Sequence, residues 1–377
     1  MKNPFRFGEI VERENFCNRK EELKAIREAI KNRYSFWLFS PRRFGKTSLI
    51  LKSFKEIKSV KTIYFDLYNV QTLDDFARKY AQALTLNLFN WKEDVKTLTQ
   101  KLGQYFKNLL PVVSFDAGGN PSFSLEARTI ETQTDIDTIL SIPENFALKH
   151  NKQICIAFDE FQEIYRIQPF LINWMRSSFQ MQKSVSYVFL GSKHSLMNSI
   201  FNDTGSPFYE FGFKMNINAI SKEDLMQFIK NLFISTGKNI PDKTIETLLE
   251  KSGCHPHFSQ YFASVVWEMI YQGADPNKDD FTKTWIDRII NSQSIIFQNI
   301  FDQLNNNQRD VLKAIALSKD DLEIFSVKNR EKVSFIASST LDTTLKSLIQ
   351  KDIIYKNGKL YNICNPVFKE WIISINL

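Results

Sequence analysis

Apolar residues recur along this chain in two rhythms, and the switches between them mark its elements. Leu23, Ile26 and Ile30 fall at helical spacing and predict a helix over residues 19–33. The run Ser35-Phe36-Trp37-Leu38-Phe39 follows with no polar interruption after its first residue, which predicts a short buried strand ending at Ser40-Pro41. Residues 47–54 read as a helix and 62–66 as a second strand. Strand, loop, helix, strand is how a parallel α/β sheet begins. Residues 73–110 look helical and amphipathic. Val113, Phe115, Phe123 and Leu125 then alternate with polar residues about Gly118-Gly119-Asn120-Pro121, which predicts a hairpin over 112–125. A helix over 134–150 leads to a third core strand, 154–158, stopped by Asp159-Glu160. A helix near 169–179, a strand over 187–190 ending at Gly191-Ser192, and a fifth strand over 213–217 complete this part.

The pattern turns helical afterwards. Ser221-Lys222-Glu223-Asp224 has the form of a capping box before Leu225, Phe228 and Ile229, and helices are expected to about residue 302. Helices over 308–317 and 339–351, then a hairpin over 354–361 about Asn357-Gly358, suggest a winged helix.

Composition narrows the class. With 377 residues, the chain is long for one core and points to two or three domains. Phe supplies 33 residues, an aromatic excess that reads as core filling. No apolar run reaches the ~18 residues that a membrane span needs, and the polar, basic start from Met1 to Phe7 shows no secretory leader. Cys17, Cys155, Cys254 and Cys364 are scattered without metal spacing, so a reducing, cytoplasmic location is expected. A net charge of +7 leaves a nucleic-acid partner open without requiring one.

Two motifs carry chemistry. Ser40-Pro41-Arg42-Arg43-Phe44-Gly45-Lys46-Thr47 matches the phosphate-loop pattern G-x-x-x-x-G-K-[ST] except that Ser40 stands at the first position. A tight loop between strand and helix turns backbone N–H groups inward at a helix N-terminus and forms an anion cradle. Gly45 permits close approach of phosphate, Lys46 would neutralise the terminal phosphates, and the Thr47 hydroxyl would bind Mg2+. Pro41, Arg42, Arg43, Phe44 and Ser48 complete the expected nucleotide-contacting set. The second motif is the apolar strand 154–158 followed by Asp159 and Glu160. Asp159 would hold the magnesium ion, and Glu160 would orient or deprotonate the attacking water. Ser192 is either a polar sensor of the γ-phosphate or the end of an ordinary Gly-Ser turn. His255 and His257 flank Pro256 but have no partner at metal-binding spacing.

Taken in order, these motifs resemble those of the archaeal-type, prokaryotic ATPase family of the STAND and AAA+ P-loop NTPases. Phe16-Cys17-Asn18-Arg19-Lys20-Glu21-Glu22 is similar to the family's N-terminal box, which implies that Asn18 and Arg19 lie near the adenine. Phe158-Asp159-Glu160-Phe161-Gln162 is similar to its Walker B signature, and Gly191-Ser192 to its sensor-bearing strand end. Gly253, His255 and Pro256 look like the helical lid's G-x-P motif, whose proline packs by the base. Asn365-Pro366-Val367-Phe368-Lys369-Glu370-Trp371 is similar to the family's closing motif. Relatives carry Gly-Arg after S-P-F-Y, whereas Ser206-Pro207-Phe208-Tyr209 is followed here by Glu210-Phe211. If that arginine acts as a finger, this chain lacks it or uses another basic group, with Arg176 as the candidate, and slow hydrolysis is expected.

The resemblance implies an α/β P-loop NTPase, AAA+-like, with a parallel five-stranded sheet between helices, then a helical lid and a C-terminal winged helix. The expected domains are 1–219, with the hairpin 112–125 as an insertion, then 220–302 and 303–377. The expected ligands are ATP or ADP with Mg2+. The leading expectation is a nucleotide-driven switch, in which ATP bridges the α/β domain and the lid and which has a protein partner or self-association. The rivals are an ATP-regulated DNA-binding protein or loader using the winged helix, and a non-hydrolysing ATP-binding scaffold. The recognition helix expected at 339–351 carries only Lys346 and Lys351 as basic groups, a poor footprint for DNA.

Overall fold

The computed structural model describes residues 2–10, 16–40, 42–89, 110–115, 121–126, 133–192, 194–217, 219–318 and 337–376. The chain divides into two compact units. One contains Arg19–Ser40 and Lys46–Ile217, the other Met1–Asn18, Pro41–Gly45 and Asn218–Leu377.

The first unit is built on the strands that the apolar runs predict. These are β1 (Phe36–Phe39), β2 (Val60–Asp66), β3 (Leu110–Phe115), β4 (Pro121–Glu126), β5 (Gln153–Asp159), β6 (Val185–Gly191) and β7 (Phe213–Asn216). Five of them form a parallel sheet in the order β2-β5-β6-β1-β7. β6 is buried along its whole length and β5 along all but its first residue, which is why both read as continuous apolar runs rather than alternating ones. β3 and β4 pair as an antiparallel hairpin, with Val113 opposite Phe123. The turn expected about Gly118-Gly119-Asn120 and the part of the expected long helix beyond Phe89 fall outside the described residues.

Much of the phenylalanine excess lies in this core. Phe158 on β5 stacks on Phe189 of β6 with ring planes 9° apart, and Phe179 stacks on Tyr187 at 3.7 Å. Phe161, Phe201 and Phe208 close the cluster. Such rings bury large apolar areas, and their offset contacts add roughly 0.5–1.5 kcal/mol per pair.

The second unit is mainly helical, with helices Lys222–Ser235, Asp242–Ser252, Pro256–Tyr271, Phe281–Asn291, Ser294–Asp302, Asn306–Leu317, Ser338–Gln350 and Pro366–Ser374. Strands β8 (Ile354–Asn357) and β9 (Leu360–Ile363) form the hairpin expected about Asn357-Gly358. The Ser221 side chain accepts from the Asp224 N–H, as the capping motif predicts. One apolar cluster runs through the unit from Phe5 to Ile372.

The chain's first residues belong to this unit rather than to the sheet. Asn3 donates to the Ser264 carbonyl, the Gln260 side chain accepts from the Arg6 N–H, and Phe5 packs on Phe233. The terminal helix Pro366–Ser374 is an element that the periodicity reading does not delimit. Asn365 caps it by accepting from the Val367 and Phe368 N–H groups, and Pro366 supplies the first helical position. Its Phe368 and Trp371 rings pack on Phe297 and Phe301, and Glu370 pairs with Lys251 at 2.9 Å.

Candidate functional site

The carboxyl ends of adjacent parallel strands gather the site of the first unit, the usual location for ligands in open α/β sheets. β1 ends at Phe39, opposite Gly191 of β6. β6 in turn lies beside β5, whose last residue, Asp159, stands opposite Asp66 of β2. The segment after β1, Ser192 after β6, and the Asp159-Glu160 pair are thereby brought to one edge.

Lys46 begins the helix Lys46–Glu56 and is 7% exposed. Its Nζ donates to the Ser40 carbonyl at 2.9 Å and reaches Ser40 Oγ at 3.5 Å, so the serine at the loop's first position holds the motif's lysine. Gly45 adopts φ +86°, a conformation that residues with a Cβ rarely take, and a Cβ built there would meet nothing within 4 Å. The glycine is therefore required by the backbone and not by crowding.

Thr47 Oγ1 donates to Asp159 Oδ2 at 2.5 Å, which joins the two motifs across 112 residues of sequence. The Tyr64 hydroxyl on β2 donates to the same oxygen at 2.7 Å, and the Glu160 N–H donates to Oδ1 at 2.9 Å. Asp159 is 4% exposed, so its charge is carried by these donors rather than by water. Burial, then the nearby Asp159 carboxylate, raise the Tyr64 phenol above its ordinary value, which keeps it protonated and donating. Burial is also the first cause of the upward shift of Asp66, with Asp159 and Glu160 adding to it. Thr47 and Asp159 present a hydroxyl and a carboxylate side by side, the hard oxygen donors that suit Mg2+.

Glu160 has left-handed backbone geometry, with φ +50°. Its Oε2 accepts from Ser192 Oγ at 2.9 Å and from Gln162 Nε2. Ser192 is therefore not just the end of a turn, because it holds the acidic residue of the neighbouring strand. Gln162 is 3% exposed, and its Oε1 is buried with no hydrogen-bond partner among the described residues. Neither Gln162 nor Tyr64 was singled out by motif spacing. The Gln162 signal lay in the Walker B signature itself, whereas a tyrosine inside a strand carries none.

The second unit contains the loop residues Arg42, Arg43 and Phe44 together with His255 and His257. His255 Nδ1 accepts from the His257 N–H at 3.2 Å, so Nε2 carries the proton and donates to the Arg42 carbonyl, also at 3.2 Å. Arg43 Nη1 lies 2.9 Å from His257 Nε2, and an arginine can only donate, so that nitrogen accepts. Phe44 meets the His255 ring edge-on at 4.4 Å. Burial pushes His255 down to about 3, with the His257 ring contributing, and burial followed by the Arg43 charge pushes His257 down to about 4. Among the described residues no group of three or more His, Cys, Asp or Glu side chains is placed to hold a metal.

The other expected positions are placed as follows. Arg19 is buried, has φ +77°, and pairs with Glu22 at 2.8 Å at the start of the helix Lys20–Lys31. Asn18, with φ +39°, precedes it, and Cys17 Sγ contacts the Asp224 carbonyl. Ser48 is buried in the helix after the loop, and Pro256 occupies the first position of its own helix behind the His255 cap. Pro41 lies outside the described residues. Arg176 donates to Gln180 at 2.6 Å and lies over the Phe211 ring at 4.8 Å.

Residues 16–258 match the model of a family described as an ATPase domain predominantly from Archaea, and residues 295–374 match one described as a probable winged helix domain. The structure is similar to that of the Walker-type ATPase PABY2304 of Pyrococcus abyssi, at 18% identity and TM-score 0.63, with 96% of this chain and 97% of that one covered. It also matches the ADP form of the ORC2 protein of Aeropyrum pernix, at 13% identity and TM-score 0.49, over 96% and 97% of the two chains. A third match is the RuvB Holliday junction branch migration motor of Thermotoga maritima, at 14% identity and TM-score 0.43, over 94% and 95%. A search of curated proteins found no match. No helix among the described residues is long and apolar enough to cross a membrane. The family match spans well over half the chain and takes in the phosphate loop, Asp159, Glu160 and Ser192, so this protein belongs to the family of ATPase domains found predominantly in Archaea.

Proposed function

We infer that this chain binds ATP with Mg2+ at the loop Ser40–Thr47 and hydrolyses it to ADP and phosphate. The observation that carries this reading is the Thr47–Asp159 hydrogen bond, which holds the loop's hydroxyl and the strand's carboxylate side by side and supports a metal site between them. Mg2+ bound there would neutralise charge on the terminal phosphates. Lys46, at a helix N-terminus, supports the same phosphates by charge and hydrogen bonding. Glu160 takes the role of orienting the attacking water or accepting its proton, and Ser192 fixes its carboxylate. On this reading residues 1–219 supply the chemistry, and 220–302 and 303–377 act as lid and winged helix in a nucleotide-driven switch. The logic is differential contact with the γ-phosphate in two states. Phosphate release by the purified Glu160→Gln protein tests the assignment. Retained ATP binding with turnover lost supports it, and turnover at the wild-type rate removes Glu160 from its role.

The winged-helix match favours a macromolecular partner, and DNA is the second reading. Lys346, one of two basic groups in the expected recognition helix, pairs with Asp342 at 2.7 Å, which weakens the electrostatic case for DNA and favours a protein partner or self-association. DNA binding measured at two salt concentrations, with and without ATP, separates these.

A further inference from the structure

We propose that Tyr64 is a positioning residue for the metal site: its hydroxyl locks the Asp159 carboxylate, with Thr47, into the arrangement that receives Mg2+. The inference rests on the ATP–Mg2+ reading and assigns a role to a residue outside both motifs.

Two donors converge on one oxygen. Thr47 Oγ1 and the Tyr64 hydroxyl reach Asp159 Oδ2 at 2.5 and 2.7 Å, while Oδ1 takes the Glu160 N–H at 2.9 Å. A carboxylate offers about four acceptor directions. With three occupied, its plane is set and little freedom is left to rotate. The three donors come from different places: the helix after the phosphate loop, the neighbouring strand β2, and the backbone beyond β5. Asp159 stands opposite Asp66 in the sheet and Ala157 opposite Tyr64, so the tyrosine begins two residues back along β2 and its ring spans that distance. A shorter polar side chain at position 64 would not reach. Partners that hold a ligand's carboxylate matter because the metal binds only the orientation they select, and losing one costs about 10–100-fold in metal affinity or activity.

Tyr64→Phe removes only the hydroxyl and keeps the ring. The test is ADP binding by isothermal titration calorimetry, in EDTA and across a series of MgCl2 concentrations, for wild type, Tyr64→Phe and Asp159→Asn. In wild type Mg2+ is expected to tighten ADP binding. Tyr64→Phe is expected to need about tenfold more Mg2+ for half of that tightening, with the EDTA dissociation constant and the thermal unfolding midpoint unchanged. A Mg2+ midpoint equal to that of wild type overturns the proposal. So does an EDTA constant that worsens as much as the Mg2+ one, since the tyrosine would then act on structure alone. Asp159→Asn is expected to abolish the Mg2+ effect. If that variant keeps the wild-type response, the metal reading itself fails, a result distinct from failure of Tyr64 alone.

Discussion

Ser192 Oγ donates to Glu160 Oε2 at 2.9 Å, so the residue after β6 holds the acidic residue after β5. A general base contributes about 10²–10⁴-fold only when it is aimed at its proton. Removing the Ser192 donor leaves the Gln162 amide to hold the carboxylate and lets it turn. Ser192→Ala is expected to lower kcat by about tenfold, a modest share of that range, while leaving the ADP dissociation constant near wild type. Steady-state phosphate release and calorimetry on the same preparation check both halves.

Lys46 supplies a buried ammonium whose Nζ is already directed at the loop by the Ser40 carbonyl. Hydrogen bonds to charged groups contribute roughly 1.5–3 kcal/mol, which corresponds to a loss of about ten- to a hundredfold in affinity. Lys46→Ala is expected to weaken ATP binding by at least that much, measured by titration calorimetry. An affinity within twofold of wild type would remove phosphate contact from the lysine.

The histidine pair gives a pH prediction. Folding lowers His255 from 6.5 to about 3 and His257 from 6.5 to about 4, so both are neutral in the folded chain. The unfolded chain takes up protons near pH 6.5 and the folded chain does so only near 3–4, which means protons favour unfolding throughout that window. The histidine contribution to stability is level above about pH 7 and is lost as the pH falls below about 6.5. Most carboxylates titrate lower, near pH 4, so the interval from pH 7 to 5 isolates the imidazoles. His257→Gln is expected to show a shallower fall in Tm across that interval than wild type. Parallel slopes would mean that His257 is not held neutral.

The parallel sheet was legible because continuous apolar runs are what doubly covered strands require, and β5 and β6 are buried on both faces. The loop and the Asp159-Glu160 pair were legible because backbone geometry and charge demand particular residues at set spacings. Tyr64 was not, since its role depends on which strand lies beside β5, a pairing that no local pattern states. The contact of His255 with the Arg42 carbonyl joins residues 213 apart and was equally invisible. The terminal helix left a readable sign, Asn-Pro before an apolar segment, which the cap at Asn365 explains. The placement of residues 1–18 with 218–377 left none, because short segments that pack by Asn3 and Phe5 carry no periodicity.

Gly191 ends β6, one residue before Ser192. A methyl group there would stand 2.2 Å from the Met197 sulfur and 2.6 Å from Gln162 Oε1. The smallest mutational step, to alanine, would therefore press on the amide that steadies Glu160, with no change to any acid, base or phosphate-binding group. The setting of the Glu160 carboxylate is thus guarded by an atom that is missing, and any side chain at this position has to displace Met197 and Gln162.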